Sequence, residues 1–442
     1  MSIWPSNPRV RLPQRPGRGA SVVIRGARIL DPASGIDRTG DLVVRDGVIG
    51  GDPDGLDEFD GTGLTVIPGL VDVHVHLRTP GKEDAEDIAS GTASAAAGGV
   101  VTVLAMPNTQ PPTDNASILG SLLERAGREA VVPTGFIPAI TVGQAGESLT
   151  EHGDLADAGA AALSDDGVPV GSALVMRRAL QYQSATGLLF TLHEEDMALS
   201  GAGVMHEGVV SARLGLAGIP GVSEAVQVAR DCALADYEGA RIHICHVSAR
   251  GTVDEIRRAK GRGIMVTAEV TPHHLLLTED AVGADPDPAR VKMNPPLRSE
   301  DDRQALIDGL LDGTIDCIAT DHAPHLTDEK ERPFAEAPFG VIGLETAFAA
   351  CHTELVVGGR MSLDDLVLRM STTPARIFGL PVPALADGAT ANLVVVDLAG
   401  VDRVGDRPYA SKSGNAAFAG RHVTGRVMMT LAGGQDVFRR SA

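Results

Sequence analysis

The stretch Val71-Asp72-Val73-His74-Val75-His76-Leu77-Arg78 sets two imidazoles two positions apart in a run with the composition of a β-strand. Side chains at i and i+2 leave the same face of a strand, so His74 and His76 should converge on one point. Val73, Val75 and Leu77 are then expected to face an apolar layer on the other side. Two convergent imidazoles are half of a metal site, but a bare His-x-His also describes two surface histidines on an edge strand. What decides between them is whether other ligand-type residues arrive at the same place.

The elements that would bring them follow a repeated strand–helix pattern. Strands are expected at about 65–77, 99–107, 130–141, 160–165, 187–193, 241–247, 264–271 and 314–321, to within a few residues. Glu83 to Ala97, Ser172 to Ser184, Ser223 to Tyr237 and Thr252 to Lys260 are rich in Ala, Leu, Glu and Arg with helical apolar spacing. Eight such units predict an α/β fold, a (β/α)8 TIM barrel. A doubly wound open sheet is the rival architecture. It does not explain why polar residues recur at the C-terminal ends of so many strands, where a barrel builds its active site. The first strand ends in His74 and His76, the fourth in Ser164-Asp165-Asp166-Gly167, the fifth in His193, the sixth in His246 and the eighth in Asp321. Imidazoles and carboxylates gathered at one mouth make a binuclear-type site, with ligands that zinc prefers.

Parity sorts the neighbours. His243 and His246 lie three apart and should face opposite sides of their strand, so His246, nearer the mouth, is the ligand and His243 is expected to pack against a helix. Cys245 and Cys317 read as small core residues. His273 and His274 close the seventh strand and read as structural, while His152, His206, His352 and His422 lie away from strand ends.

The rest of the composition fits an acidic enzyme. A net charge of -20 disfavours a nucleic-acid or anionic-membrane partner, which the overall field would repel. No stretch approaches the roughly 18 uninterrupted apolar residues of a membrane span. Cys232, Cys245, Cys317 and Cys351 show no paired spacing and no secretory run opens the chain, so a reducing cytoplasm is expected. Residues 1–20 carry Arg9, Arg11, Arg15 and Arg18 among Pro5, Pro8, Pro13 and Pro16, which suits an unstructured or loosely docked arm. Alternating runs follow at Ser21 to Leu30 and Asp41 to Ile49, and return at Ala391 to Leu398 and Gly425 to Leu431. Each β-rich end is too short to stand alone, so one small β-sandwich built from both chain ends is expected: 1–66 and 385–442 around a barrel at 67–384.

The order His74-x-His76, strand-four group, His193, His246, Asp321 resembles the ligand order of the amidohydrolase superfamily. Within it the chain is similar to the type I dihydroorotases. The matching stretches are His74-Val75-His76-Leu77-Arg78-Thr79-Pro80-Gly81, Met106-Pro107-Asn108-Thr109, Ser164-Asp165-Asp166-Gly167, His246-Val247-Ser248, Met293-Asn294-Pro295-Pro296-Leu297-Arg298 and Thr320-Asp321-His322-Ala323-Pro324-His325. The resemblance implies that His74, His76 and Asp321 hold one zinc and that His193 and His246 hold a second, one or two ions per chain. Asp166 would stand where many relatives bridge the ions with a carboxylated lysine. Thr79 departs from the acid usual at its position, with loop ordering the expected consequence. Asp321 would be the proton shuttle, and Arg78, Asn108, Asn294 and His325 the substrate contacts. The segment from Leu326 to Gly343, rich in charge, Pro and Gly, would form a lid.

The implied reaction is closure of N-carbamoyl-L-aspartate to dihydroorotate in pyrimidine biosynthesis. Hydantoinases and allantoinases are the alternative, although they lack the Arg78–Asn108 carboxylate clamp. An inactive scaffold subunit of aspartate carbamoyltransferase is another, but such proteins lose ligands that are all present here. A homo-oligomer, and association with aspartate carbamoyltransferase, are expected by resemblance alone.

Overall fold

The computed structural model describes residues 7–285 and 287–441. Parallel strands close into a barrel. Leu70–Val75, Val100–Ala105 and Thr134–Phe136 form one run, and Phe190–Leu192, Ile242–Ile244, Val266–Val270 and Cys317–Ile318 form another. The fourth strand is only the segment 160–164, joined on one side by Ala161 N–H to Phe136 O at 2.9 Å and on the other by a parallel bridge between Leu163 and Phe190. The ring closes where Val75 bridges His322 and the His76 N–H donates to His322 O at 2.9 Å. Ile88–Ala97, Ala173–Thr186, Val222–Glu238 and Arg250–Gly261 are helices, as their apolar spacing predicts. The first starts at Asp87, whose carboxylate caps the Ser90 N–H at 2.8 Å.

The core has two shells, filled mainly by aliphatic side chains. Val71, Leu104, Met106, Ile137, Ala319 and Cys317 fill the barrel interior. Val103, Ile242, Ile244 and Val266 face outward onto Leu119, Leu123, Met176, Val228 and Ile256 of the surrounding helices. Val73 joins the inner shell, whereas Val75 and Leu77 lie in the outer one. They do not share a layer as parity predicts, because the pairing with the second strand is irregular between Asp72 and Val75.

The stretch 65–77 is likewise two strands in two sheets. Thr65–Pro68 pairs antiparallel with Leu393–Arg403, and Leu70–Val75 belongs to the barrel. Gly69 makes the break possible, since a Cβ there would lie 2.3 Å from Val101 Cγ1. Both chain ends thus enter one eight-stranded sheet. Its faces alternate. Leu393 and Val395 pack with Ile24, Ile29, Val44 and Met429 inside the sandwich, while Val394, Val396 and Val427 pack onto the barrel.

The N-terminal arm is docked rather than unstructured; positions 1–6, Pro5 among them, lie outside the described residues. Val10 and Leu12 pack onto the inner core, Thr134 N–H donates to Pro13 O at 3.0 Å and Arg15 N–H to Ala130 O at 3.0 Å. These contacts fall where barrel strands begin. The arm therefore closes the end of the barrel away from the ligands, and Gln14 ties it to the sandwich through Ala432 O at 3.1 Å.

Candidate metal centre and substrate pocket

All six expected ligands meet at the mouth. Asp166 is at their centre: its Oδ1 lies 3.4 Å from His74 Nε2, 3.5 Å from His246 Nε2 and 3.8 Å from His193 Nδ1, and its Oδ2 lies 3.6 Å from His76 Nε2. Asp321 Oδ1 is 3.0 Å from His76 Nε2 and 3.6 Å from His74 Nε2. His193 Nδ1 and His246 Nε2 are 3.0 Å apart. His74 Nε2 and Asp166 Oδ1 are buried without a hydrogen-bond partner. Leaving such atoms unpaired is costly unless something else occupies the space between them. Two ligands at about 2.1 Å from a common ion in tetrahedral geometry lie roughly 3.4 Å apart, so the donor set and its spacing fit a divalent cation.

Backbone strain aims two of these side chains and that of Arg78. Arg78, His246 and Asp321 have φ of 55°, 33° and 47°, conformations that cost a non-glycine residue about 1–3 kcal/mol each and that cluster at functional sites. Each follows the end of a barrel strand, where the left-handed turn redirects a side chain that parity alone would misplace. For His246 this overturns one expectation. His243 and Cys245, not His246, have the inward parity of their strand. His243 lies inside the barrel, with Nδ1 2.8 Å from Thr267 Oγ1 and Nε2 3.2 Å from Glu269 Oε2, rather than against an outer helix. Cys245 is a buried neutral thiol, its pKa pushed to about 12 by burial, as expected of a core residue.

A supporting layer of two carboxylates and one amide fixes the imidazoles. Glu269 Oε1 holds His74 Nδ1 at 2.6 Å, Asn108 Oδ1 holds His76 Nδ1 at 2.7 Å, and Glu195 Oε2 holds His193 Nε2 at 3.1 Å. Asp72 accepts the His74 N–H at 3.1 Å and the Thr320 N–H at 3.2 Å, so it registers the first strand against the segment carrying Asp321. Burial opposes charge throughout: it prevails at Asp72, whose carboxyl is pushed up to about 7, whereas the pairs prevail at His74, Asp166 and Asp321. In the metal-free centre Glu269 and Asp166 raise the His74 pKa well above its usual range, and the imidazoles hold Asp166 well below and Asp321 below theirs. Asp165, by contrast, faces the Ile140 and Thr141 N–H groups at 2.8 and 3.1 Å and anchors its own loop.

The centre opens into a cavity of about 190 Å³ lined by Arg78, Asn108, Asn294, His325, Ala323, Phe339 and Gly340 as well as all the expected ligands but His74. Arg78 is almost buried; its Nε–H donates to Pro324 O at 3.0 Å and its Nη2 lies 3.2 Å from His325 Nε2. Asn294 donates from Nδ2 to Glu195 at 2.8 Å and leaves Oδ1 unpartnered. Asn108 is bound at both ends, its Nδ2 donating to Asp166 Oδ2 at 3.1 Å, so it orients ligands while lining the cavity. Thr79 is buried with an unpartnered Oγ1. His273 and His274 are buried; His274 Nε2 meets Pro295 O at 2.8 Å in a structural contact.

Phe339 and Gly340, which wall the cavity, lie in the segment from Leu326 to Gly343 expected to form a lid, whereas sequence reasoning missed Glu269, Glu195 and Asp72. A signal existed for two of these. Glu269 is a lone acid inside the apolar strand Val266–Val270, and Glu195 stands two residues past a ligand.

A family model described as "Dihydro-orotase-like" matches residues 63–252. A dihydroorotase of Anaeromyxobacter sp. (strain K) is 47% identical over 94% of this chain and 97% of its own length. One of Citrifermentans bemidjiense is 46% identical over 95% of this chain and 100% of its own. Among solved structures, the L-hydantoinase (dihydropyrimidinase) of Arthrobacter aurescens superposes with a TM-score of 0.82 at 27% identity, covering 95% of this chain and 98% of that one.

Proposed function

Since the chain belongs to the dihydroorotase family and is a cyclic amidohydrolase of pyrimidine biosynthesis, we propose that His74, His76, Asp166, His193, His246 and Asp321 hold one or two zinc ions where the amide bond is made and broken. The observation that carries this is the pair of buried, unpartnered atoms His74 Nε2 and Asp166 Oδ1 facing each other across 3.4 Å. When bound, the metal supplies Lewis acidity, acidifying the attacking water and polarising the amide carbonyl.

The chain's own groups do the rest. In the hydrolytic direction the Asp321 carboxylate takes the proton of the attacking water and passes it to the departing ring nitrogen. In cyclisation it takes a proton from the carbamoyl nitrogen and gives it to the leaving oxygen. Arg78 pairs with the substrate's carboxylate, with His325 beside it, and the Asn294 Oδ1 accepts from a ring N–H. Glu269, Asn108 and Glu195 fix the imidazole tautomers so that the nitrogens facing the centre are free to ligate.

His74→Ala should lose bound zinc, and Asp321→Asn should lose at least ~10²-fold in turnover, the usual worth of a general acid–base. Unchanged zinc in the first or unchanged turnover in the second would refute the corresponding role. The complete ligand set argues against an inactive scaffold subunit. The four cysteines are buried and free, in keeping with a reducing cytoplasm, and no helix among the described residues is long and apolar enough to cross a membrane. Self-association and a complex with aspartate carbamoyltransferase remain part of the proposal, as does the division at 1–66, 67–384 and 385–442.

A further inference from the structure

Phe339 and Gly340, two walls of the cavity, belong to a loop at 331–340 that has no helix or strand. Two buried ammonium groups hold it. Lys292 Nζ donates to the carbonyls of Phe334 at 2.6 Å, Ala337 at 2.6 Å and Ala335 at 3.3 Å, and lies over the Phe339 ring at 4.6 Å from its centroid. Lys330 Nζ donates to Gly340 O at 2.8 Å, Pro338 O at 3.0 Å and Lys292 O at 3.3 Å. All but the last of these carbonyls belong to the loop. Lys292 and Lys330 are 2% and 4% exposed, and neither forms an ion pair among the described residues.

Burying an ammonium without a counter-ion is expensive, and burial does push Lys330 down to about 7 and Lys292 to about 8. An apolar side chain of similar length would fill the same space without that cost. What it would not do is gather five carbonyls that otherwise point in different directions along an irregular loop. The loop's position matters to the cavity. Phe339 O lies 2.7 Å from His325 Nε2, which in turn lies 3.2 Å from Arg78 Nη2. The Gly340 N–H donates to Lys292 O at 3.0 Å, two residues before Asn294.

We propose that Lys292 and Lys330 are positioning residues that clamp Phe339 and Gly340 beside His325, keeping the carboxylate-binding end of the cavity formed before the substrate arrives. The segment from Leu326 to Gly343 is then a fastened wall rather than a lid that swings. The proposal rests on the assignment of Arg78 and His325 to the substrate, so its test separates the two. Zinc content reports on the metal centre, and the Michaelis constant and the loop's protease sensitivity report on the clamp.

The experiment compares the zinc-loaded full chain with Lys330→Met and Lys292→Met. Each variant should keep its zinc, and its KM for dihydroorotate should rise on the order of 10-fold or more, by a larger factor than kcat falls. A glutamate-specific protease should cut the exposed Glu331 and Glu336 faster in the variants with no substrate present. The double variant should be little worse than the worse single one, since both lysines fasten one loop. A folded Lys330→Met with unchanged KM and unchanged cleavage overturns the proposal, as does a fall in kcat at constant KM. Failure of both single variants to fold also overturns it, because the lysines would then serve the fold and not the cavity.

Discussion

Glu269 Oε1 sits 2.6 Å from His74 Nδ1 at the bottom of the metal centre, and Glu269 Oε2 reaches His243 Nε2 at 3.2 Å. One carboxylate inside the barrel therefore sets the tautomer of a ligand that faces both Asp166 and Asp321. Glu269→Gln keeps the volume and removes the charge. Zinc affinity should fall about 10- to 100-fold, the usual effect of losing such a partner. Competition with a chelator would measure it, and unchanged affinity would show that His74 is oriented by packing alone.

Arg78 should select for a carboxylate-bearing ring. Arg78→Met keeps most of the length and loses the charge, so kcat/KM for dihydroorotate should fall by some 2–4 kcal/mol, roughly 30- to 1000-fold. Activity on a neutral cyclic amide should hardly move. Equal loss on both substrates would make Arg78 structural, and loss on neither would put the carboxylate elsewhere.

Glu195 gives a pH dependence with a definite sign. Burial raises its pKa, but His193 and Asn294 override that and bring it to about 2 from an ordinary 4.5. Between those values the unfolded chain binds more protons than the folded one, so stability rises with pH across that window. The contribution is complete above about 4.5 and is lost as pH falls through about 2. In metal-free protein, the stability gap between the native chain and Glu195→Gln, read from urea unfolding, should shrink from pH 6 toward pH 3. A gap that is constant with pH would contradict the pairing.

The cluster at the barrel mouth is legible because strand ends carry their chemistry openly: His74, His76, Asp166, His193, His246 and Asp321 each stand where an apolar run stops, and the structure brings the six together. The rule that found them also failed locally, since parity assumes extended backbone. It breaks at the irregular pairing between Asp72 and Val75, and again at His246, whose φ of 33° turns an outward position inward and leaves His243 inside the barrel. Glu269 was hidden because a single acid in Val266–Val270 does not disturb a strand pattern. How firmly the arm docks is hidden for a related reason. Val10 and Leu12 are too few to show periodicity, and only the assembled barrel provides the surface they cover. The lysine contacts to loop carbonyls have no sequence signature at all, because their partners are backbone.

His74, His76, Asp166, His193, His246 and Asp321 are proposed to hold the metal on which dihydroorotate chemistry depends. The most direct measurement is dihydroorotate hydrolysis by the full chain before chelation, after removal of metal, and after zinc is returned. Activity should be present, be lost, and return in step with zinc bound. Full turnover by metal-free protein would contradict that dependence.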